Sequence, residues 1–149
     1  MSKASAKTSK SASNAAIVQA ALEKLRAAGL RPTKQRIALG ALLFDGRDRH
    51  VTAEALHDEV RGAGADVSLA TVYNTLHQFT EAGLLREVVV NAGASHFDTN
   101  VGAHHHLYYA DSGELHDVDA TDVRIEGLPA VPRGAEIERV DVIVRLRRR

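Results

Sequence analysis

Three consecutive histidines, His104, His105 and His106, form the densest group of metal-binding side chains in this sequence. They precede a short apolar run that begins at Leu107 and is typical of a strand. Because successive strand residues point to opposite faces, we expect His104 and His106 on one face and His105 on the other. The pattern therefore allows two interpretations, a ligand pair that holds one ion or a solvated histidine patch.

The chain contains no cysteine, and this limits the chemistry that the histidines can support. Disulfides, thiolate zinc sites and thiol redox reactions are excluded. Any metal would be bound by His, Asp or Glu, which suit Fe(II), Mn(II) or Zn(II). No Gly-rich phosphate loop is present, and no carboxylate stands at a spacing that suggests a general base beside an open metal position. We therefore do not expect an enzyme.

Length and charge place the chain among ordinary globular proteins. Its 149 residues, 44% hydrophobic and 26% charged, suit one domain or two small ones. The formal charge is +3 over residues 1–16, zero over 17–84 and −3 over 85–149, which is compatible with DNA binding if the bases cluster on one face. No apolar run approaches the roughly 18 residues of a membrane span, and no signal peptide is recognisable. We expect a cytoplasmic protein with no membrane partner.

The first hundred residues predict a basic arm followed by four helices. Residues 1–13 hold Ser, Ala and Lys, and we expect them to be disordered because they cannot bury enough apolar surface. Apolar spacing, Ser or Thr N-caps and terminal glycines then predict the helices. They are expected at Asn14–Ala28, Thr33–Phe44, Thr52–Gly62 and Ser68–Ala82.

The fourth predicted helix has two distinct faces. One face is an apolar stripe of Leu69, Val72, Leu76 and Phe79. The other is small, polar and uncharged, and it consists of Ala70, Thr71, Asn74, His77 and Gln78, with Tyr73 on the flank. A helix that enters a DNA groove needs short hydrogen-bonding residues of this kind, whereas an idle surface helix usually carries Lys and Glu.

Strands follow the helices. Residues 85–90 and 95–99 predict a hairpin around the turn at 91–94, so that residues 14–99 form a winged-helix domain. After a hinge at 100–103, we expect short strands at 107–110 and 115–118, an irregular segment at 119–135 and a long strand at 136–147. Three strands cannot close a core alone, which favours a symmetric homodimer. The predicted class is α+β, an N-terminal winged-helix DNA-binding domain plus a small C-terminal α/β dimerisation domain at 104–149.

Three segments carry a family resemblance: Gly29–Thr33, His50–Glu54 and Ser68–Leu76. In this order, and with the wing and the histidines, they resemble the ferric uptake regulator (Fur) superfamily of dimeric bacterial metalloregulators over about residues 17–147. Within it the chain looks most like the iron response regulator (Irr) of alphaproteobacteria. The segments that favour Irr are Ser68–Gly83, Phe97–Asn100, the triple histidine with its aromatics, and Val140–Leu146.

The resemblance implies roles in DNA binding for five residues. The fourth helix would be the recognition helix, with Tyr73 at a base edge in the major groove beside Thr71 and Asn74. Asn74 stands where Fur proper commonly has an arginine, which favours a different target sequence. Arg31 would enter an A·T-rich minor groove and Arg36 would contact phosphate. From the residues alone, solvated helix-end charges are the preferred interpretation of Arg31 and Arg36, and Tyr73 is explained as the flank of the core.

The resemblance also implies a sensing site made of His50, Asp98, His104, His106 and Asp117, an alignment that requires one deleted residue between positions 97 and 107. An ion bound there would tie the two domains together and shift the population toward a spacing that fits two DNA half-sites. Other roles stay open, because His50 could pack at the helix start and Asp98 could bond the wing backbone. In place of Asp117, the ligand could be Glu114, His116 or Asp119.

The departures from the family leave one histidine-rich site. The CxxC pairs that hold structural zinc are missing, and Ala103 and Val140 stand where a second site often has histidines. For Irr, the resemblance implies haem as an effector bound by His104, His105 and His106, and imidazole is a common axial ligand. Haem and a divalent ion would compete for His104 and His106.

The sequence therefore predicts an iron- and haem-responsive DNA-binding transcriptional regulator of haem biosynthesis and iron homeostasis genes. The alternative is a peroxide-sensing repressor of the same superfamily, which would use Fe or Mn at the same His/Asp site. A metal or haem carrier without DNA function would leave the polar face of the fourth helix unexplained.

Overall fold

The computed structural model describes residues 2–91 and 94–149, and the side chains of residues 2–13 and Ala94 are outside that description. The chain divides between Val101 and Gly102 into two compact units. This boundary falls inside the segment predicted as a hinge. The helices are α1 (Ser2–Ala27), α2 (Lys34–Leu43), α3 (Ala53–Gly62), α4 (Leu69–Glu81) and a single 3-10 turn (Ala120–Asp122), and the strands are β1 (His50–Val51), β2 (Arg86–Asn91), β3 (Ala94–Asp98), β4 (His104–Tyr109), β5 (Leu115–Asp119) and β6 (Ile143–Leu146).

The helices of the first unit begin at the predicted caps. The hydroxyls of Thr33, Thr52 and Ser68 each accept a backbone N–H from three residues further on, at 3.1–3.3 Å. Such caps satisfy N–H groups that have no acceptor inside the helix. Helices α1 and α4 are followed by Gly29 and Gly83, whose φ angles of 77° and 80° lie in the left-handed region that favours glycine.

Helix α1 begins before the predicted position. Its backbone is helical from Ser2, so it includes most of the segment for which the sequence predicts a disordered arm, and Met1 lies outside the described residues. Ala and Lys are strong helix formers, and no Gly or Pro interrupts them before Asn14. Within the described residues, no helix has both the length and the apolar content to cross a membrane.

Apolar side chains from the helices and from β3 form the core of the first unit. Phe44 and Phe79 approach with ring centroids 5.7 Å apart. On α4, the buried face contains Val72, Leu76 and Phe79 as predicted and also Thr75, whereas Leu69 is partly exposed. Each fully buried large apolar side chain contributes about 1.5–3 kcal/mol. The fully buried core includes Leu25, Leu39, Leu43, Leu56, Val72, Leu76, Phe79 and Phe97.

The sheet of the first unit has the order β1-β3-β2 and is antiparallel. The hairpin of β2 and β3 confirms the predicted wing, although the predicted turn residues 92 and 93 lie outside the described residues. Strand β1 was not predicted, because two residues carry too little periodicity to be recognised. It pairs His50 with Asp98 across the ladder.

The sheet of the second unit has the order β5-β4-β6. Strands β4 and β5 form an antiparallel hairpin, and β6 runs parallel to β4. The prediction of a long strand at 136–147 was wrong, since only Ile143–Leu146 is strand. Alternating valines show which residues could share a face, but a strand also needs a hydrogen-bonding neighbour. In this ladder β4 pairs with residues 143–146 through His106–Tyr109.

Candidate metal site and DNA-recognition surface

His104, His106 and Asp117 lie together in the second unit. The antiparallel register sets His106 opposite Asp117, and His104 is two residues away on the same face. Both Nε2 atoms approach the same carboxylate oxygen, Asp117 Oδ1, at 3.4 and 3.5 Å. One ligand atom from each of the three residues lies within 4.8 Å of the other two. The strand alternation expected from the sequence is thus observed.

The ring orientation of His104 identifies its tautomer. Its Nδ1 lies 2.7 Å from the carbonyl oxygen of Gly102. Because a carbonyl can only accept, Nδ1 carries the proton, and in the neutral ring Nε2 carries the lone pair that faces Asp117. A cation placed between the Nε2 lone pair and the carboxylate would attract both. Metal-ligating histidines are commonly oriented by a carbonyl in this way.

His105 has the opposite arrangement. Its Nδ1 accepts the backbone N–H of Val142 at 3.1 Å, so in the neutral ring Nε2 carries the proton. The side chain is buried and connects β4 to the residue before β6. His105 thus has a structural contact on the face of β4 away from the His104, His106 and Asp117 group.

His50 and Asp98 form the corresponding pair in the first unit. They lie opposite one another on β1 and β3, with His50 Nε2 and Asp98 Oδ2 separated by 3.2 Å. The Asp98 side chain is fully buried, and its Oδ1 accepts the backbone N–H of Asn100 at 2.9 Å. The carboxylate therefore bonds the backbone through one oxygen while the other faces an imidazole.

The acids that could replace Asp117 have other contacts. Asp119 accepts the backbone N–H and the hydroxyl of Thr121 at 2.9 and 2.7 Å, and these hydrogen bonds lower the pKa of Asp119. Glu114 pairs with the exposed ring of His116 at 3.2 Å and with Arg148 at 3.3 Å. Asp117 is the acid that faces His104 and His106.

Tyr73, the residue expected at a base edge, is hydrogen-bonded to helix α3. Its hydroxyl donates to Glu54 Oε1 at 2.7 Å. This bond raises the pKa of Tyr73 and lowers the pKa of Glu54, because it stabilises the phenol together with the carboxylate. The ring also stacks on His77 at 6.5 Å. Tyr73 is half-buried and fits both the flank and the surface interpretation.

The other residues of the DNA-binding prediction line one polar groove between the start of α2 and the outer face of α4. It is lined by Arg31, Thr33, Gln35, Arg36, Thr71, Asn74, Thr75 and Gln78. Thr71 Oγ1 accepts a hydrogen bond from the Ser68 hydroxyl at 2.9 Å. The Asn74 side chain is exposed. Arg36 donates to Gln78 and to the Arg31 carbonyl.

Sequence reasoning missed the roles of Glu54 and Gln78 in this surface. They contact residues 19 and 42 positions away, so no local pattern could have paired them. The only available signal was the placement of Gln78 on the polar face of α4, one turn after Asn74.

Comparison with known proteins identifies the family. Residues 27–144 match the Ferric uptake regulator family. The chain belongs to this family. It is therefore a metal-responsive, DNA-binding transcription regulator and not an enzyme, and the α+β winged-helix prediction is confirmed.

Similar proteins include both ferric uptake regulators and a peroxide operon regulator. The ferric uptake regulation protein of Pseudomonas aeruginosa is 36% identical over 104 residues, which cover 69% of this chain and 76% of that protein. The peroxide operon regulator of Bacillus subtilis is 35% identical over 97 residues, or 65% of this chain and 66% of that protein. The solved structure of the ferric uptake regulator from P. aeruginosa with manganese is 31% identical and superposes with a TM-score of 0.65 over 85% of this chain and 96% of that one.

Proposed function

We propose that this Fur-family chain is a homodimeric regulator that binds operator DNA through α4 and responds to a divalent ion held by five side chains. These are His50, Asp98, His104, His106 and Asp117. The observation that carries the proposal is that the imidazoles of His104 and His106 on β4 approach one carboxylate oxygen of Asp117 on β5.

The donor set fits a borderline divalent ion. Three imidazoles and two carboxylates suit Fe(II), Mn(II) or Zn(II), and the chain offers no soft thiolate. Asp98 and His104 are six residues apart, and a chain of that length spans at most about 20 Å. A bound divalent ion would be attracted by both carboxylates and could accept a lone pair from each imidazole.

We propose iron as the signal, and genes of haem biosynthesis and iron homeostasis as the targets. This part rests on the resemblance of the chain to Irr. Haem is the second proposed effector, with His104, His105 and His106 as its ligands. All three residues are at most 7% exposed, so whatever covers them would have to move before haem could reach them. That burial favours a small ion over haem in the described conformation.

The test is operator binding titrated with effector. Operators would be selected from random DNA with the purified full-length chain, and binding followed by fluorescence anisotropy at fixed salt with Mn(II), anaerobic Fe(II) or haem. We expect an ion to change wild-type affinity and His104→Ala/His106→Ala to abolish the response. His116→Ala is the matched control, because His116 is an exposed histidine on β5 that pairs with Glu114. An unchanged metal response in the double variant would contradict the proposed site.

Peroxide sensing is the second candidate, because the chain is 35% identical to the peroxide operon regulator of B. subtilis. Fe(II) held by His50, His104 and His106 would reduce peroxide, and the oxidant formed from the peroxide would add one oxygen to a ligand histidine. Mass spectrometry of the anaerobic Fe(II) protein after peroxide treatment separates the candidates. A gain of one oxygen on His50 or His104 would establish peroxide chemistry, whereas an unmodified protein that still responds to Fe(II) would favour iron sensing.

A further inference from the structure

The guanidinium of Arg36 holds the amide of Gln78 in one orientation. Arg36 Nε and Nη2 both donate to Gln78 Oε1, at 3.3 and 2.9 Å. Nη1 donates to the backbone carbonyl of Arg31 at 2.9 Å, which anchors the guanidinium at the turn before α2. A side chain of α2 thus fixes a side chain on the outer face of α4.

This contact determines which groups Gln78 offers to a ligand. A guanidinium only donates, so the amide atom that faces it must be the oxygen, and the NH2 group points away. A mobile glutamine reads adenine by donating to N7 while accepting from N6. With Oε1 occupied by Arg36, Gln78 is restricted to donating.

Gln78 lies on the same face of α4 as the residues expected to meet DNA. Thr71, Asn74 and Gln78 are spaced by three and four residues, which places them along one side of a helix. All three line the polar groove between α2 and α4, and Asn74 and Gln78 are exposed. A donor fixed on this face is matched by a base edge that presents acceptors.

We propose that Gln78 is a specificity-determining residue that donates to guanine, and that Arg36 is the positioning residue that makes it do so. Guanine presents two neighbouring acceptors in the major groove, N7 and O6, whereas adenine and cytosine each present a donor. The proposal rests on the proposed binding of operator DNA through α4. It gives Arg36 a role beyond the phosphate contact expected from the sequence.

The test compares base preferences of variants selected against random DNA, with affinities then measured on single-base operator variants. For the wild type we expect one position per half-site at which guanine is preferred by about tenfold or more. Gln78→Ala should flatten the preference at that position alone. Gln78→Glu should also lose it, although it keeps the Arg36 contact, because the carboxylate has no donor. Replacing that guanine by 7-deazaguanine should weaken the wild type and leave Gln78→Ala unchanged.

Arg36→Lys isolates the positioning role, since lysine keeps the positive charge but lacks the planar fork. We expect the preference to shift from guanine toward adenine at the same position, because the released amide can accept again. Gln19→Ala is the control, because Gln19 is an exposed glutamine on α1 that pairs with Glu23 and does not line the groove. Thermal unfolding of each variant by circular dichroism separates misfolding from altered recognition.

Two outcomes would overturn the inference. One is an unchanged motif in both Gln78 variants, and the other is an Arg36→Lys protein that loses affinity equally for all sequences, as expected of a phosphate contact. If the wild type selects no motif and retains DNA only in a salt-dependent, sequence-blind manner, the proposed function fails and the inference fails with it. A selected motif without the Gln78 dependence leaves the proposed function intact.

Discussion

At the scale of single residues, the adjacent His104 and His105 have different chemistry because their neighbours fix different tautomers. His104 Nδ1 donates to the Gly102 carbonyl, whereas His105 Nδ1 accepts from the Val142 N–H. His106 faces Asp117 on the same side as His104. Two histidines in this cluster therefore have different roles because Nδ1 donates a hydrogen bond in one and accepts a hydrogen bond in the other.

Replacing His105 and His104 should separate stability from metal affinity. His105→Ala would remove a buried side chain and leave the Val142 N–H without its acceptor, which should lower the free energy of unfolding by about 1–3 kcal/mol. His104→Ala should instead abolish tight Mn(II) binding. Urea unfolding in chelator and calorimetric Mn(II) titration would measure the two effects. Loss of Mn(II) binding in a folded His105→Ala protein would place His105 among the ligands.

The bond between Tyr73 and Glu54 has a defined pH window. The lowered pKa of Glu54 gives stability that is present above its unfolded pKa and lost as pH falls through the folded value. The raised pKa of Tyr73 gives stability that is present below its ordinary value of 10.0 and lost as pH rises through the folded value. The bond therefore persists through the neutral range.

Ultraviolet absorbance titration should detect this bond. The difference between wild type and Tyr73→Phe isolates the Tyr73 phenol, and we expect its pKa to lie above 10.0. Glu54→Ala should bring it back toward that value because the acceptor is gone. An unchanged Tyr73 pKa in Glu54→Ala would show that the bond does not form in solution.

At the scale of elements, the sequence predicted the features that depend on residues close together in the chain, such as helix caps. The caps at Thr33, Thr52 and Ser68 are confirmed because a cap involves residues only three positions apart. Strand β1 and the true length of β6 could not be predicted, since each depends on a ladder with a distant strand. The same limit applies to the surface of α4, where the amphipathic face was predictable and the contacts of Tyr73 and Gln78 were not.

Removal of one cap should weaken the recognition helix. Ser68 accepts the Thr71 N–H at 3.1 Å, so Ser68→Ala should lower the free energy of unfolding by about 1 kcal/mol. Ser68→Asp should retain most of the stability, because aspartate is an equally good cap. Urea denaturation followed by circular dichroism measures both. Equal loss in the two variants would show that another property of Ser68 matters.

At the scale of the whole molecule, the second unit has little core of its own. All of residues 102–149 are described, and within them Tyr108 is the only hydrophobic side chain that is buried. A three-stranded sheet with one such side chain is not expected to be stable alone. Large apolar side chains stay exposed at Ile125, Leu128, Val131, Ile137 and Val144. We therefore expect these surfaces to be covered in a homodimer.

Dimerisation should appear in the concentration dependence of stability. We expect a dimer by sedimentation equilibrium at micromolar concentration, with a thermal midpoint that rises with protein concentration. Val144→Lys should weaken the dimer because it puts a charge at an exposed apolar position of β6, the edge strand of this sheet. Val89→Lys is the control, since Val89 is also an exposed valine on a strand but lies on β2 of the first unit. A monomer at every concentration would exclude this role for β6.

The junction between the units has a backbone anchor on each side. The Asn100 N–H is held by Asp98, and the Gly102 carbonyl is held by His104, with Val101 between them. Both anchoring side chains belong to the proposed metal ligands. A bound ion would therefore act on the torsion angles of three consecutive residues. The torsional stiffness of residues 100–102 is then the property through which a bound metal ion would affect the DNA-binding unit.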